Sequence, residues 1–196
     1  MSDEDDEQAD GATITWPLER LARLMRSREH DDGLNPAQWE ALRYLDRANR
    51  FSNSPGALTH YLGATKGTIS QTLISLERKG FIAKSARLGE RRSVSLSLTP
   101  KGHEVLARDP WNDLASSVDG LGGKTRRRLN KGLRELLAEE VKRGGLSSFG
   151  SCSSCRYFRE KGRDHDPQGP HLCMLFEQPL SPEETRRICV AHEEGG

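Results

Sequence analysis

The chain has 196 residues, 34% of them apolar and 30% charged, which is enough for one ordinary domain and a small appendage. No apolar run approaches the roughly 20 residues of a membrane-spanning helix, and the acidic start MSDEDDEQAD leads into no apolar signal core, so a soluble, cytoplasmic protein is expected. The net charge of +1 argues at first against a nucleic-acid binder, but it is an average over opposite extremes. Residues 1–10 carry six acids and no base, whereas residues 65–92 carry Lys66, Arg78, Lys79, Lys84, Arg87, Arg91 and Arg92 against Glu77 and Glu90. A phosphate backbone responds to charge within a Debye length of roughly 8 Å, so the local balance decides.

Residues 1–12 read as a disordered acidic tail with nothing to bury. From Ile14 the pattern becomes helical, with Trp16, Leu18, Leu21, Leu24 and Met25 on one face and Arg20, Arg23 and Arg26 on the other. Asn35-Pro36 starts a second helix, Asn as cap and Pro at its first position, with Trp39, Leu42 and Leu45 as the buried stripe. Ser54-Pro55 opens a third helix that reaches about Leu62 and stops at Gly63.

Thr65 caps a fourth helix in which Ile69, Leu73 and Leu76 must face the core. That leaves Thr65, Lys66, Gly67, Thr68, Ser70 and Gln71 on the outer face near its start, small or hydrogen-bonding residues suited to a helix entering a major groove. Phe81 to Ala83 and Ser93 to Leu98 read as two strands, joined by a basic loop containing Arg87, Arg91 and Arg92. Such a tip suits a minor groove or the phosphates beside it. Helix, turn, helix and basic hairpin in this order form a winged helix-turn-helix, a shape that binds duplex DNA.

Thr99-Pro100 begins a long helical stretch that Pro110 and Gly122-Gly123 divide into at least two helices, the last near 124–142 with Leu129, Leu133, Leu136, Leu137 and Val141 on one face. The helices at both ends have more apolar face than one small winged domain can cover. Pairing with a second copy is the natural use, and a two-fold dimer presents two recognition helices.

The stretches LNPAQWEALRYL, LGATKGTISQTLISLERKGFI and GERRSVSLSLTPKG resemble the winged-helix domain of the MarR family of bacterial transcriptional regulators, over residues 34–108. The family often has Asp where Glu90 stands. The resemblance extends over roughly residues 14–143 and implies a homodimer that binds double-stranded DNA at inverted-repeat operators, with the outer helices as the dimer interface.

After a linker at 144–151 come all four cysteines, Cys152, Cys155, Cys173 and Cys189, spaced C-x2-C-x17-C-x15-C. In a reducing cytosol such a cluster points to metal ligation rather than disulfides. One C-x-x-C knuckle and two isolated cysteines suit an iron–sulfur cluster, [4Fe-4S] or [2Fe-2S], because its irons spread the sulfur positions. A structural zinc is the alternative, and a metal-free thiol switch a third. Tyr157, Phe158, Leu172, Met174, Leu175 and Phe176 could form an apolar shell. His192 could replace a thiolate or support one; His165 and His171 are weaker candidates.

The expected fold is therefore mainly α with a small β-wing (α+β). Residues 13–143 form a winged helix-turn-helix domain flanked by dimerisation helices, and residues 152–196 a cysteine-rich metal-binding module. The expected function is a homodimeric repressor whose operator binding an iron–sulfur cluster modulates through redox or iron sensing. The alternatives are a zinc-bearing regulator that answers an organic ligand and, remotely, an iron–sulfur enzyme. No phosphate-binding glycine loop, G-x-S-x-G or H-E-x-x-H supports the last, so no enzyme is expected. Because the final helix leads straight into the cysteine segment, the expected route of control runs through that helix and the dimer interface.

Overall fold

Short polar residues placed just before apolar stripes determine where the first five helices begin. In the computed structural model, which describes residues 10–29, 33–86 and 94–195, Asp10 accepts the Thr13 amide at 2.8 Å and opens α1 (Gly11–Ser27). Gly11 and Ala12 thus belong to a capped helix and not to the acidic tail; residues 1–9 lie outside the described residues. Asn35 and Gln38 form a reciprocal capping box at the start of α2 (Pro36–Arg47), with bonds of 2.9 and 3.2 Å. Ser54 caps α3 (Pro55–Leu62), which ends at Gly63 with φ +59°, a left-handed conformation that glycine adopts without cost. Thr65 caps α4 (Lys66–Arg78).

Strands β1 (Ile82–Ala86) and β2 (Val94–Leu98) pair antiparallel, from Ile82 opposite Leu98 to Ala86 opposite Val94. One core fills the space between α2, α3, α4 and this ribbon, with Trp39, Leu42, Leu58, Leu73, Leu76, Leu96 and Val105 buried in it. The wing is tied back at both ends. The Leu96 amide donates to the Asn53 carbonyl at 2.7 Å, and the Thr99 amide to the Phe81 carbonyl at 3.0 Å.

The long helical stretch divides into three helices, α5 (Pro100–Leu106), α6 (Trp111–Asp119) and α7 (Gly123–Arg143). Gly102 in α5 lies directly on the Phe81 carbonyl, where any Cβ would collide with backbone. This contact gives the Leu-Thr-Pro-Lys-Gly motif a physical reason: the glycine lets α5 close against the base of the wing.

A buried ionic group joins α1, α2 and the α5–α6 corner. The Arg43 guanidinium meets Glu29 at 2.7 Å and Asp109 at 2.6 and 2.9 Å, and lies over the rings of Trp39 and Trp111. Trp111 Nε1 donates to Glu29 at 3.0 Å. Beyond this junction the outer helices are bare: Trp16 in α1 is 65% exposed and Leu137 in α7 is 64% exposed.

The C-terminal segment forms a three-stranded antiparallel sheet of β3 (Phe158–Arg159), β4 (His171–Cys173) and β5 (Gln178–Leu180), with β4 in the centre. Single 3-10 turns at Cys152–Ser154 and Glu184–Arg186 flank it. Residues 144–151 are more than a linker. Phe149 packs edge-on against Tyr44 and Tyr61, and the Gly150 carbonyl accepts the Cys189 amide at 2.9 Å.

Two substitutions test this framework by chemical denaturation. Arg43→Ala leaves two carboxylates buried without their cation and should cost about 3–5 kcal/mol. Gly102→Ala forces α5 off the Phe81 carbonyl and should cost about 1–3 kcal/mol.

Candidate functional site

Helices α3 and α4 with the β1–β2 ribbon present the candidate nucleic-acid face. Ile69, Leu73 and Leu76 turn inward, and Thr65, Lys66, Gly67, Thr68, Ser70 and Gln71 are exposed along the start of α4. The Thr65 hydroxyl is occupied, accepting the Thr68 amide at 3.2 Å and sharing a 2.9 Å bond with the Thr68 hydroxyl. Two of the bases counted from the sequence have other work. Lys79 donates to the Gly33 carbonyl at 2.6 Å and to Gln38 at 3.0 Å, and Lys84 pairs with Glu77 at 2.7 Å. Lys66 and Arg78 remain exposed on α4. Arg87, Arg91 and Arg92 lie outside the described residues.

The four cysteines, scattered over 38 residues of sequence, line a single small cavity. Cys152 and Cys155 come from the first 3-10 turn, Cys173 from the end of β4, and Cys189 from the strand-like segment that pairs with Gly150. All four are free thiols. Tyr157, Phe158, Leu175, Phe176, Leu180 and Ala191 supply most of the remaining wall. Of the apolar shell expected from the sequence, Leu172 and Met174 are not in this wall, and Met174 is largely exposed.

Burial decides the chemistry of the thiols. Cys152 is 8% exposed. Desolvation, reinforced by the neighbouring Cys189, Cys155 and Cys173, pushes its thiol up to about 12. Four thiolates cannot gather here unless positive charge sits among them. Among the described residues, no three His, Cys, Asp or Glu side chains converge as they would on a single metal ion.

His192 is part of the same wall. Its Nε2 is 3.0 Å from the Ser154 hydroxyl, while Nδ1 is buried with no hydrogen-bond partner. A Cβ at Gly150 would lie 2.7 Å from the imidazole, so the ring's place depends on that glycine. His171 is elsewhere, accepting the Lys161 amide at 3.2 Å, and neither it nor His165 lines the cavity.

Sequence reasoning missed the floor of the cavity. Asn49 and Phe51, from the turn between α2 and α3, line it together with the cysteines. Phe51 stacks on Phe176 with centroids 4.2 Å apart. The Ile188 amide donates to the Arg47 carbonyl at 2.9 Å, the Asn49 amide to the Ile188 carbonyl at 3.0 Å, and the Val190 amide to the Ser52 hydroxyl at 2.8 Å. Arg50 pairs with Glu184 at 2.8 Å and donates to the Pro179 carbonyl. The cysteine segment is thus seated on the α2–α3 turn, where the sequence-based expectation routed its influence through α7. Chain order brings α7 to the start of the cysteine segment, and backbone hydrogen bonds seat that segment on the turn as well.

Comparison with known proteins agrees with this geometry. Residues 34–94 match the MarR family. The transcriptional repressor MprA of Escherichia coli K12 is 32% identical over 89 residues, 45% of this chain and 48% of that protein. The chain therefore spans about half the length of the curated relatives it matches. Among solved structures, S. aureus MepR in its DNA-binding conformation superposes with a TM-score of 0.56 at 18% identity, covering 65% of this chain and 98% of MepR. Streptococcus pneumoniae FabT in complex with DNA gives 0.54 at 22% identity, covering 68% and 99%. These two similarities establish a shared winged-helix fold. No helix among the described residues is long and apolar enough to cross a membrane.

Differential alkylation tests the description of the thiols. In metal-free protein at pH 8, Cys152 should be the last of the four to react with iodoacetamide, by about tenfold or more, as read by peptide mass spectrometry. Equal labelling of all four would contradict the burial assigned to Cys152.

Proposed function

We propose that this protein is a homodimeric DNA-binding repressor whose operator binding is modulated by an iron–sulfur cluster held by Cys152, Cys155, Cys173 and Cys189. The observation that carries the reading is the cavity itself, lined by all four thiols and floored by Asn49 and Phe51 of the winged-helix domain. A polynuclear centre accepts thiolates from scattered positions of the chain, which suits one C-x-x-C pair and two isolated cysteines lining the same cavity. The mostly apolar wall would keep water off the sulfurs, and His192 would bring an unpartnered nitrogen to the same wall. Bound there, a cluster supplies a redox-active centre that oxidants and iron shortage can dismantle. Metal loading would also release the thiol protons, so binding should strengthen as pH rises.

DNA recognition would follow the exposed start of α4. Lys66, Thr68, Ser70 and Gln71 are available to base edges and phosphates, and Arg87, Arg91 and Arg92, which lie in sequence between β1 and β2, would add cationic contacts. FabT was solved in complex with DNA, MepR in a DNA-binding conformation, and MprA is a repressor; these support the same role here. Dimerisation would cover the bare apolar residues of α1 and α7, each worth about 1.5–3 kcal/mol when fully buried.

The test uses a duplex enriched from a random-sequence pool by the iron-loaded protein. Cys173→Ser should lose its iron and change affinity for that duplex by about tenfold or more; an iron-free variant with unchanged affinity would leave the cysteine segment purely structural. Arg91→Ala should weaken binding and reduce the salt slope by about one counterion, whereas Gln71→Ala should relax sequence preference with less loss of affinity. Identical behaviour of these two variants would refute the division between phosphate and base contacts.

A further inference from the structure

We propose that the α2–α3 turn, residues 47–53, is the element through which occupancy of the cysteine cavity acts on the DNA-binding face. This inference rests on the regulator reading above and names the route of its control. The turn is bonded on two sides. Toward the cysteines, the Arg47 carbonyl and Asn49 amide bracket Ile188, and the Ser52 hydroxyl accepts the Val190 amide. Ile188 and Val190 are the immediate neighbours of Cys189, so a ligand that holds the Cys189 sulfur fixes both of these attachments. Arg187 donates to the Asp46 and Ala48 carbonyls at 3.1 and 3.4 Å, and Arg50 reaches Glu184 and the Pro179 carbonyl.

Toward the DNA-binding face, the same turn holds three elements. The Tyr44 hydroxyl donates to the Ser52 carbonyl at 2.6 Å, tying the turn to α2. The Asn53 carbonyl accepts the Leu96 amide at 2.7 Å, tying it to β2 of the wing. Ser54, the next residue, caps α3, the first helix of the helix-turn-helix. Ser52 thus bonds to the cysteine segment with its side chain and to α2 with its carbonyl.

Asn49 is 1% exposed and Ser52 is fully buried. If Cys189 is released and residues 187–190 lift away, the Asn49 amide and the Ser52 hydroxyl lose their partners inside the protein. Water then replaces the packed and hydrogen-bonded segment, and the turn, held on that side by these bonds, is released to shift. That shift moves the cap of α3 and the anchor of β2 together. Two arrangements of the turn, one paired with residues 187–190 and one rehydrated, give the two states that the cavity's occupant would bias.

The experiment compares full-length wild type, Arg50→Ala and Ser52→Ala, each purified anaerobically and measured loaded and after chelator stripping. Neither residue lines the cavity, so both variants should keep the wild-type absorption spectrum and iron content. Their loaded and stripped forms should bind the enriched duplex within about twofold of each other, where wild type differs by about tenfold. Amide hydrogen exchange on wild type gives a reading that needs no variant. Stripping should speed exchange about tenfold or more at Asn49, Leu96 and the first turn of α3.

A wild-type difference in affinity that persists in both variants overturns the role of the turn. So does faster exchange confined to residues 123–143. Wild type that holds no iron, or that binds the duplex equally with and without it, instead overturns the regulator reading on which the inference stands.

Discussion

Where residues 187–190 lie beside the end of α2, they cover polar groups of the turn and supply their hydrogen-bond partners across the junction. The Asn49 amide, the Arg47 carbonyl and the Ser52 hydroxyl all find their partners in the cysteine segment. Each such bond is worth only about 0.5–1.5 kcal/mol when made, but the unmade partner costs more. Several such bonds meet at the junction, and in the proposed route of control they answer to the position of Cys189. On one side the junction completes the cysteine cavity with Asn49 and Phe51; on the other it sets the entry of α3 and the anchorage of the wing.

The molecule has a second junction of a different kind. Arg43, held by Glu29 and Asp109 and flanked by Trp39 and Trp111, fixes the outer helices to α2 through buried charge. Both junctions converge on the same twelve-residue helix, α2, at its middle and at its C-terminal end. The exposed apolar faces of α1 and α7 lie beyond the ionic junction, and the thiols lie beyond the polar one. In the proposed reading this physical division becomes a division of labour between assembly and control, with the candidate nucleic-acid face between them.

Much of the winged helix was legible in the chain because its signals are local. Asn35-Pro36, Ser54-Pro55 and Thr99-Pro100 each state a helix start in two residues, and Ile69, Leu73 and Leu76 state which side of α4 is buried. The four cysteines stood out by their clustering. What could not be read was the partner of the cysteine segment. Ile188 pairs with a strand-like end more than a hundred residues away, and the residues that receive it, Asn49 and Ser52, are short polar residues that look like any turn. Lys79 and Lys84 counted as charge available to DNA for the same reason, since their bonds to Gly33, Gln38 and Glu77 arise from folding and not from spacing. Phe149 was hidden inside a glycine- and serine-rich run, yet it docks on Tyr44 and Tyr61.

The central claim is that the four thiols hold a polynuclear iron centre on the α2–α3 turn. The most direct test is an absorption spectrum of protein purified without air, with iron, acid-labile sulfide and zinc measured on the same sample. The account predicts a brown protein absorbing near about 400 nm, with iron and sulfide in comparable amounts and little zinc. A colourless protein carrying about one zinc per chain, or no metal at all, would contradict it.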